Sequence, residues 1–362
     1  MEAEMVMMSA RLLVAVLGVF IVVGTLISAV KTFVLPRGIN VLIVQIVFTV
    51  VGFFFRLRIR KASTFEERDR IFALYAPLTL LLLPVVLLSL ILIGYTCLFW
   101  ALETSPLTEA FRLSGSSLLT LGYATGDTMP HKILEFSEAM IGLIMVALLI
   151  AYLPSMYSSF SRRETAVALW EARAGTPPSV VEMVARSHRT GELDRLREVW
   201  LSWQTWFAEV EESHTSLAPL NMFRSPQPDR SWVTAAGNVL DSAAFILAAV
   251  DVPPEPQAAF CIRAGYLALR QICSFFNIPY DPDPSPDDPI SVSRVEFDEV
   301  YDQLAAQGVP LKPDRDQGWQ DFVGWRVNYD TALIALAAFT MAPYAPWSSD
   351  RSTVRLRQRV LR

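Results

Sequence analysis

The stretch that decides the fold is "SLLTLGYATGD", Ser117–Asp127, a polar and glycine-bearing segment within the most apolar third of the chain. Just before it, Ser105 is a candidate N-cap, Pro106 a first helical residue and Glu109 a first-turn acid, so a short helix is expected there. A helix of about three turns is too short to cross a bilayer. The sequence therefore predicts a segment that enters the membrane and returns, with non-helical backbone buried in protein or lining a wet cavity.

The composition divides the chain into two parts around Tyr157. The 362 residues are 52% hydrophobic, with a mean hydropathy of +0.36 and 23 prolines. Nearly all long apolar runs precede Tyr157, whereas most charges, tryptophans and prolines follow it. This pattern predicts a membrane half followed by a soluble half.

A net charge of −5 argues against a nucleic acid as partner, and the three cysteines lack the spacing of a metal site.

Four apolar segments are candidate membrane spans, and basic residues follow the second and the fourth. Because positive charge marks the cytoplasmic side, both termini are expected to be cytoplasmic. The predicted fold is an all-α, multi-pass protein of the plasma membrane with four transmembrane helices and an α-helical cytoplasmic domain. The four predicted spans are Leu12–Leu35, Ile39–Phe55, Ile71–Trp100 and Ile133–Tyr157.

The order of a spanning segment, a short helix, "TLGY" and a second spanning segment resembles the potassium-channel pore-loop family, whose filter has the pattern TVGYG. The resemblance implies that one pore helix and one filter loop per chain assemble in a homotetramer within the lipid bilayer. It also implies K+ as the bound ion and no other cofactor. The implied filter residues are Thr120, Leu121, Gly122, Tyr123 and Ala124, with K+ at the first four.

The match to the family pattern breaks after Tyr123, where Ala124 and Thr125 precede Gly126 and Asp127. If Ala124 takes a position that needs a left-handed backbone, the alanine costs about 1 kcal/mol and distorts the outermost ion site. A non-selective cation channel is therefore the alternative to a potassium-selective one. Ser116 also stands where several relatives have an acidic residue, so the clamp behind the filter must be built differently.

Residues after the loop suggest further roles. Asp127, Glu135 and Glu138 are candidates for an outer mouth that concentrates cations, although glutamates at a helix start are also ordinary partners of the helix dipole. Gly142 and Pro154 are candidates for a hinge or an inner gate in the inner helix. The alternative for Pro154 is that it ends the membrane helix.

The predicted domains are residues 1–61 with two transmembrane helices, 62–160 with the pore module, and 161–362 as the helical domain, which includes a Pro/Asp-rich loop at 277–290. The helical domain lacks a phosphate-binding loop and any pairing of histidine with a nucleophile, so the protein is not expected to be an enzyme. This domain could brace the tetramer or take an unidentified cytoplasmic ligand or partner. A membrane receptor or scaffold that does not conduct remains the rival class.

Overall fold

A computed structural model of the protein describes residues 2–35, 41–59, 64–104 and 106–351. These residues form helices joined by loops, and the described part of the chain contains a single isolated β-bridge but no strand. The all-helical class expected from the sequence is therefore confirmed.

The chain divides into two compact units. The first comprises 1–61 and 74–157, and the second comprises 62–73 and 158–362. The segment 62–73, which the sequence analysis places with the pore module, thus clusters with the second unit. Helices of the first half of the chain are α1 (Glu2–Phe33), α2 (Leu42–Ile59), α3 (Phe65–Ala73), α4 (Tyr75–Ala101), α5 (Leu107–Leu118) and α6 (Met129–Ala174).

Several of these helices are long and apolar enough to cross a membrane, which supports the expected membrane character of the chain. Among the described residues there are five such segments. Four of them fall on α1, α2, the α3–α4 stretch and α6, and the fifth is Trp232–Ala249. The fifth differs because 94% of its 18 residues are buried inside the protein. It is a core helix of the second unit, which confirms the buried helix expected here from the sequence.

Helix α1 packs antiparallel to α4. Near its start, the Arg11 guanidinium pairs with the Glu103 carboxylate, just beyond the end of α4, at 2.6 Å. Further along, a Cβ placed on Gly18 would lie 2.7 Å from the Gly94 carbonyl oxygen, so the two backbones touch there. Small residues allow such close helix contacts in membranes.

This packing differs from the helix directions that the expected order of crossings implies. Four successive crossings would make the first and third spans parallel, whereas α1 and α4 run in opposite directions. If both cross the bilayer, α2 does not complete a crossing between them.

The second unit is a helical bundle around one buried helix, α9. Nearly every residue of α9 is buried, and the apolar core extends to Trp200, Trp203 and Trp206 of α8. The Pro/Asp-rich segment 277–290 connects α10 and α11. The bundle helices are α7 (Val180–Arg189), α8 (Arg197–Ser216), α9 (Trp232–Ala249), α10 (Pro256–Phe275), α11 (Arg294–Ala306), α12 (Arg315–Arg326) and α13 (Asp330–Phe339).

A buried ionic network centres on Arg326. Its guanidinium donates to the carboxylates of Asp241 and Asp330, the latter at 2.7 Å, and to the Trp347 carbonyl oxygen at 2.7 Å. The Tyr329 hydroxyl donates to the same Asp241 oxygen at 2.9 Å. Burial lowers the pKa of Arg326, but the two carboxylates outweigh burial and raise it above its ordinary value. The network joins α9, α12 and α13.

A second buried cation, Arg163, lies beside His214. The guanidinium donates to His214 Nε2 at 3.1 Å and to the Leu220 carbonyl oxygen at 2.8 Å. Burial, reinforced by the neighbouring Arg163 charge, holds the pKa of His214 well below its ordinary value of 6.5. His214 is therefore a neutral acceptor in the folded domain.

Candidate functional site

The candidate site is the loop between α5 and α6. Helix α5 begins at Leu107 with Pro106 at the N-cap position, while Ser105, the expected cap, lies outside the described residues. The buried face of α5 includes Ala110 and Leu113, which share an apolar cluster with residues of α4. The short helix expected from the sequence is present, one residue later than predicted.

The N–H groups at the start of the loop point back at α5. Thr120 N–H donates to the Ser117 carbonyl at 3.0 Å, and the Leu121 and Gly122 N–H groups donate to the Ser116 carbonyl at 2.8 and 3.4 Å. Thr120 and Gly122 adopt positive φ angles of 53° and 70°. The chain thereby reverses at the helix end with its donors satisfied.

The carbonyl groups of the same segment have no such partners. Among the described residues, no hydrogen bond ends on a main-chain carbonyl oxygen from Thr120 to Ala124. The Leu121 and Tyr123 side chains are 60% and 61% exposed in the single chain. The C-terminal end of α5 adds a partial negative charge beside this segment. Unpaired carbonyls next to a helix C-terminus suit a dehydrated monovalent cation.

Ala124 is not strained in the way that the sequence suggests. It is buried, its φ is outside the left-handed region, and its N–H donates to Ser116 Oγ at 3.0 Å. The positive φ falls instead on Thr120, a β-branched residue for which that region is rare. Such backbone strain is concentrated at functional sites.

The first turns of α6 hold the outer end of the loop. Glu135 Oε1 accepts from the Gly126 N–H at 2.5 Å. The His131 ring is hydrogen-bonded by the hydroxyls of Thr104 at 2.9 Å and Thr128 at 2.5 Å. A Cβ on Gly126 would lie 2.4 Å from His131 Cβ, so only glycine fits there. The clamp behind the loop is thus built from Ser116 and Glu135.

Glu138 lies deeper, against α5. Its side chain is fully buried, and Oε1 accepts from Ser114 Oγ at 2.5 Å. Oε2 is also buried and has no hydrogen-bond partner among the described residues. Burial of both Glu135 and Glu138 corrects their expected role as cation-concentrating groups at an outer mouth. Asp127 alone of the three remains exposed.

The two hinge candidates have different surroundings. A Cβ on Gly142 would lie 2.4 Å from the Leu118 carbonyl oxygen, so α6 touches the end of α5 directly at this glycine. Pro154 lies inside α6, which continues to Ala174. The alternative in which Pro154 ends the helix is therefore wrong.

The sequence identified the loop but not all of the side chains that support it. Ser116 could be flagged because it departs from the family pattern. The Ser114–Glu138 and Gly126–Glu135 contacts join residues on separate elements, and no local pattern reports them. Within the described residues, no group of three or more His, Cys, Asp or Glu side chains could hold a metal ion.

Comparison with family models, with curated proteins and with solved structures gives no match for this chain.

Proposed function

We propose that the protein is a tetrameric cation channel, selective for potassium, in which the loop from Thr120 to Ala124 forms the filter. The observation that carries the proposal is the polarity of this loop: the N–H groups of Thr120, Leu121, Gly122 and Ala124 donate to α5, while the carbonyl groups have no hydrogen-bond partners among the described residues. These residues are exposed in the single chain apart from Ala124, and if four copies bury them, their carbonyl oxygens need a ligand. Monovalent cations are the ligands that rows of carbonyl oxygens accommodate.

Contacts at the two ends of the segment support a re-entrant path. Ser114 Oγ of α5 lies 3.0 Å from the Leu92 carbonyl oxygen, well inside α4, while the Gly126 N–H donates to Glu135 near the start of α6. A chain with these contacts would enter the bilayer along α5 and leave along the loop.

The exposed apolar surface of the first unit supports assembly. Leu121, Tyr123, Met140 and Leu143 are each 60–62% exposed in the single chain. One loop provides a quarter of a carbonyl ring, so four copies arranged around these faces would complete the ring and cover the surface.

A non-selective cation channel is the second candidate. It is favoured by Ala124, whose backbone lacks the positive φ of a glycine and whose N–H is tied to Ser116. A differently oriented outer carbonyl would remove one of the ion sites in series, and discrimination between K+ and Na+ would fall.

The test is ion flux from proteoliposomes that contain the purified full chain, under potassium or sodium gradients, with barium as blocker. Potassium-driven, barium-sensitive flux is expected, and it should disappear in Gly122→Asp. The matched control is Gly324→Asp on α12, where a Cβ has no neighbour within 4 Å. Equal K+ and Na+ flux would select the second candidate, while no flux in wild type would exclude both and leave a non-conducting receptor or scaffold.

A further inference from the structure

A groove of about 850 Å³ lies in the first unit, away from the loop carbonyls. Three helices line it: the N-terminal part of α1, the end of α4 and the first turns of α6. Its charged lining residues are Glu4, Arg11 and Glu103, and its apolar lining includes Leu12, Leu98 and Leu134. The groove therefore has the amphipathic character that a lipid molecule requires.

Arg11 and Glu103 lie at the same height along the axes of α1 and α4. Arg11 precedes an uncharged run at 12–30, and Glu103 follows an uncharged run at 71–102. Because α1 and α4 are antiparallel and the two side chains pair at 2.6 Å, both runs extend from this pair in the same direction. The pair thus lies where hydrocarbon gives way to headgroups, and Ala15, one turn or about 6 Å further along α1, lies on the hydrocarbon side.

The charge pattern indicates which headgroup fits. One guanidinium and two carboxylates face the groove, and Arg11 Nε is buried without a hydrogen-bond partner among the described residues. A phosphate would bind the part of the Arg11 guanidinium that stays exposed, and an adjacent primary ammonium would be received by a carboxylate. We infer that the groove binds a zwitterionic phospholipid with a primary ammonium, a phosphatidylethanolamine, with its phosphate on Arg11, its ammonium on Glu103 and an acyl chain along Ala15 and Leu98.

Binding at this groove can be measured whether or not the protein conducts. The third wall of the groove contains Pro130 and Leu134, on either side of His131, which packs against Gly126. A bound lipid would therefore stabilise the helical turn that holds the outer end of the loop.

The test is native mass spectrometry of the full chain in detergent, titrated separately with dioleoyl phosphatidylethanolamine, phosphatidylcholine and phosphatidylglycerol. Phosphatidylcholine keeps the phosphate but has no N–H donor, and phosphatidylglycerol lacks the ammonium. Wild type is expected to bind phosphatidylethanolamine about tenfold more tightly than either, as loss of one charge-assisted hydrogen bond implies. Glu103→Gln should remove this preference, and Arg11→Gln should weaken the binding of all three lipids.

Two further variants separate specific binding from misfolding. Arg112→Gln removes an exposed arginine that pairs with Glu109 outside the groove, and it should bind as wild type does. Ala15→Phe keeps both charges, fills the apolar floor and should weaken all three lipids. Equal binding of the three lipids by wild type, equal effects of Arg11→Gln and Arg112→Gln, or full binding by Ala15→Phe would overturn the inference. A change in subunit number in Arg11→Gln would also overturn it, by identifying a second copy of the chain as the occupant.

Discussion

Two buried carboxyl groups, Asp241 in the helical bundle and Glu138 beside the loop, differ in how completely their oxygens are hydrogen-bonded. The oxygen Oδ1 of Asp241 receives both the Arg326 guanidinium and the Tyr329 hydroxyl. Glu138 has one hydrogen bond, from Ser114, and one oxygen without a partner among the described residues. A satisfied network fixes one core arrangement, whereas an incompletely satisfied group is typical of a site that acts on something else. Four predictions, each with a control variant, test buried polar groups in the two regions.

The largest effect is expected from Asp241→Ala, which leaves the Arg326 charge buried with one carboxylate fewer. Breaking a buried pair in this way costs about 3–5 kcal/mol of unfolding free energy. The measurement is chemical unfolding of the full chain followed by tryptophan fluorescence, because only Trp100 of the nine tryptophans lies outside the second unit. Asp298→Ala, which removes a half-exposed partner of Arg294, is the control and should cost under about 1 kcal/mol. Similar losses for the two variants would contradict the assigned role of the network.

Glu138→Ala should act on flux rather than on the unfolding of the helical bundle. Without the carboxylate, Ser114 loses its short contact with α6, and the position of α5 behind the loop is no longer fixed. We expect about a tenfold loss of potassium flux, the equivalent of one strong hydrogen bond. Glu138→Gln keeps an oxygen that can accept from Ser114 and should retain most of the flux. Equal loss in both variants would show that the charge, and not the contact, matters.

His214 is a third buried polar group, and a change of pH can disturb it without a mutation. Its folded pKa lies below the unfolded value of 6.5, so below pH 6.5 the unfolded chain binds a proton that the native chain does not. Stability therefore falls as the pH falls through this range, by about 1.4 kcal/mol per pH unit, until the folded pKa is reached. Unfolding curves between pH 7.5 and 5.5 measure the slope. His214→Gln should flatten it, and the control His188→Gln on α7 should not.

The smallest effect is expected from Ser116→Ala, which removes the acceptor of the Ala124 N–H. The loss of one neutral hydrogen bond costs about 1 kcal/mol. The ratio of K+ to Na+ flux should then fall by about fivefold at most, since the outer carbonyls are held less firmly. Ser117→Ala is the matched control, because the Ser117 hydroxyl bonds the Leu113 carbonyl of its own helix. An unchanged ratio in Ser116→Ala would remove this serine from the clamp.

The sequence predicted what local patterns encode. The short helix before the loop follows from Pro106 and Glu109, and the buried helix Trp232–Ala249 follows from an apolar run that polar residues such as Asn238 and Asp241 interrupt. The direction of α1 could not be predicted, because it depends on the contact of Gly18 with Gly94 and on the Arg11–Glu103 pair. The burial of Glu135 and Glu138 was missed for the same reason: their partners lie on a separate helix and on the loop.

The glycine at position 142 has a mechanical consequence. Because no side chain separates α6 from the Leu118 carbonyl, no compressible layer can absorb a displacement of α6 at that point. A tilt or rotation of α6 would be transmitted directly to the residue two positions before Thr120, whose φ is already unusual for a β-branched residue. The contact therefore couples a movement of α6 at Gly142 directly to the end of α5 and to the loop that follows it.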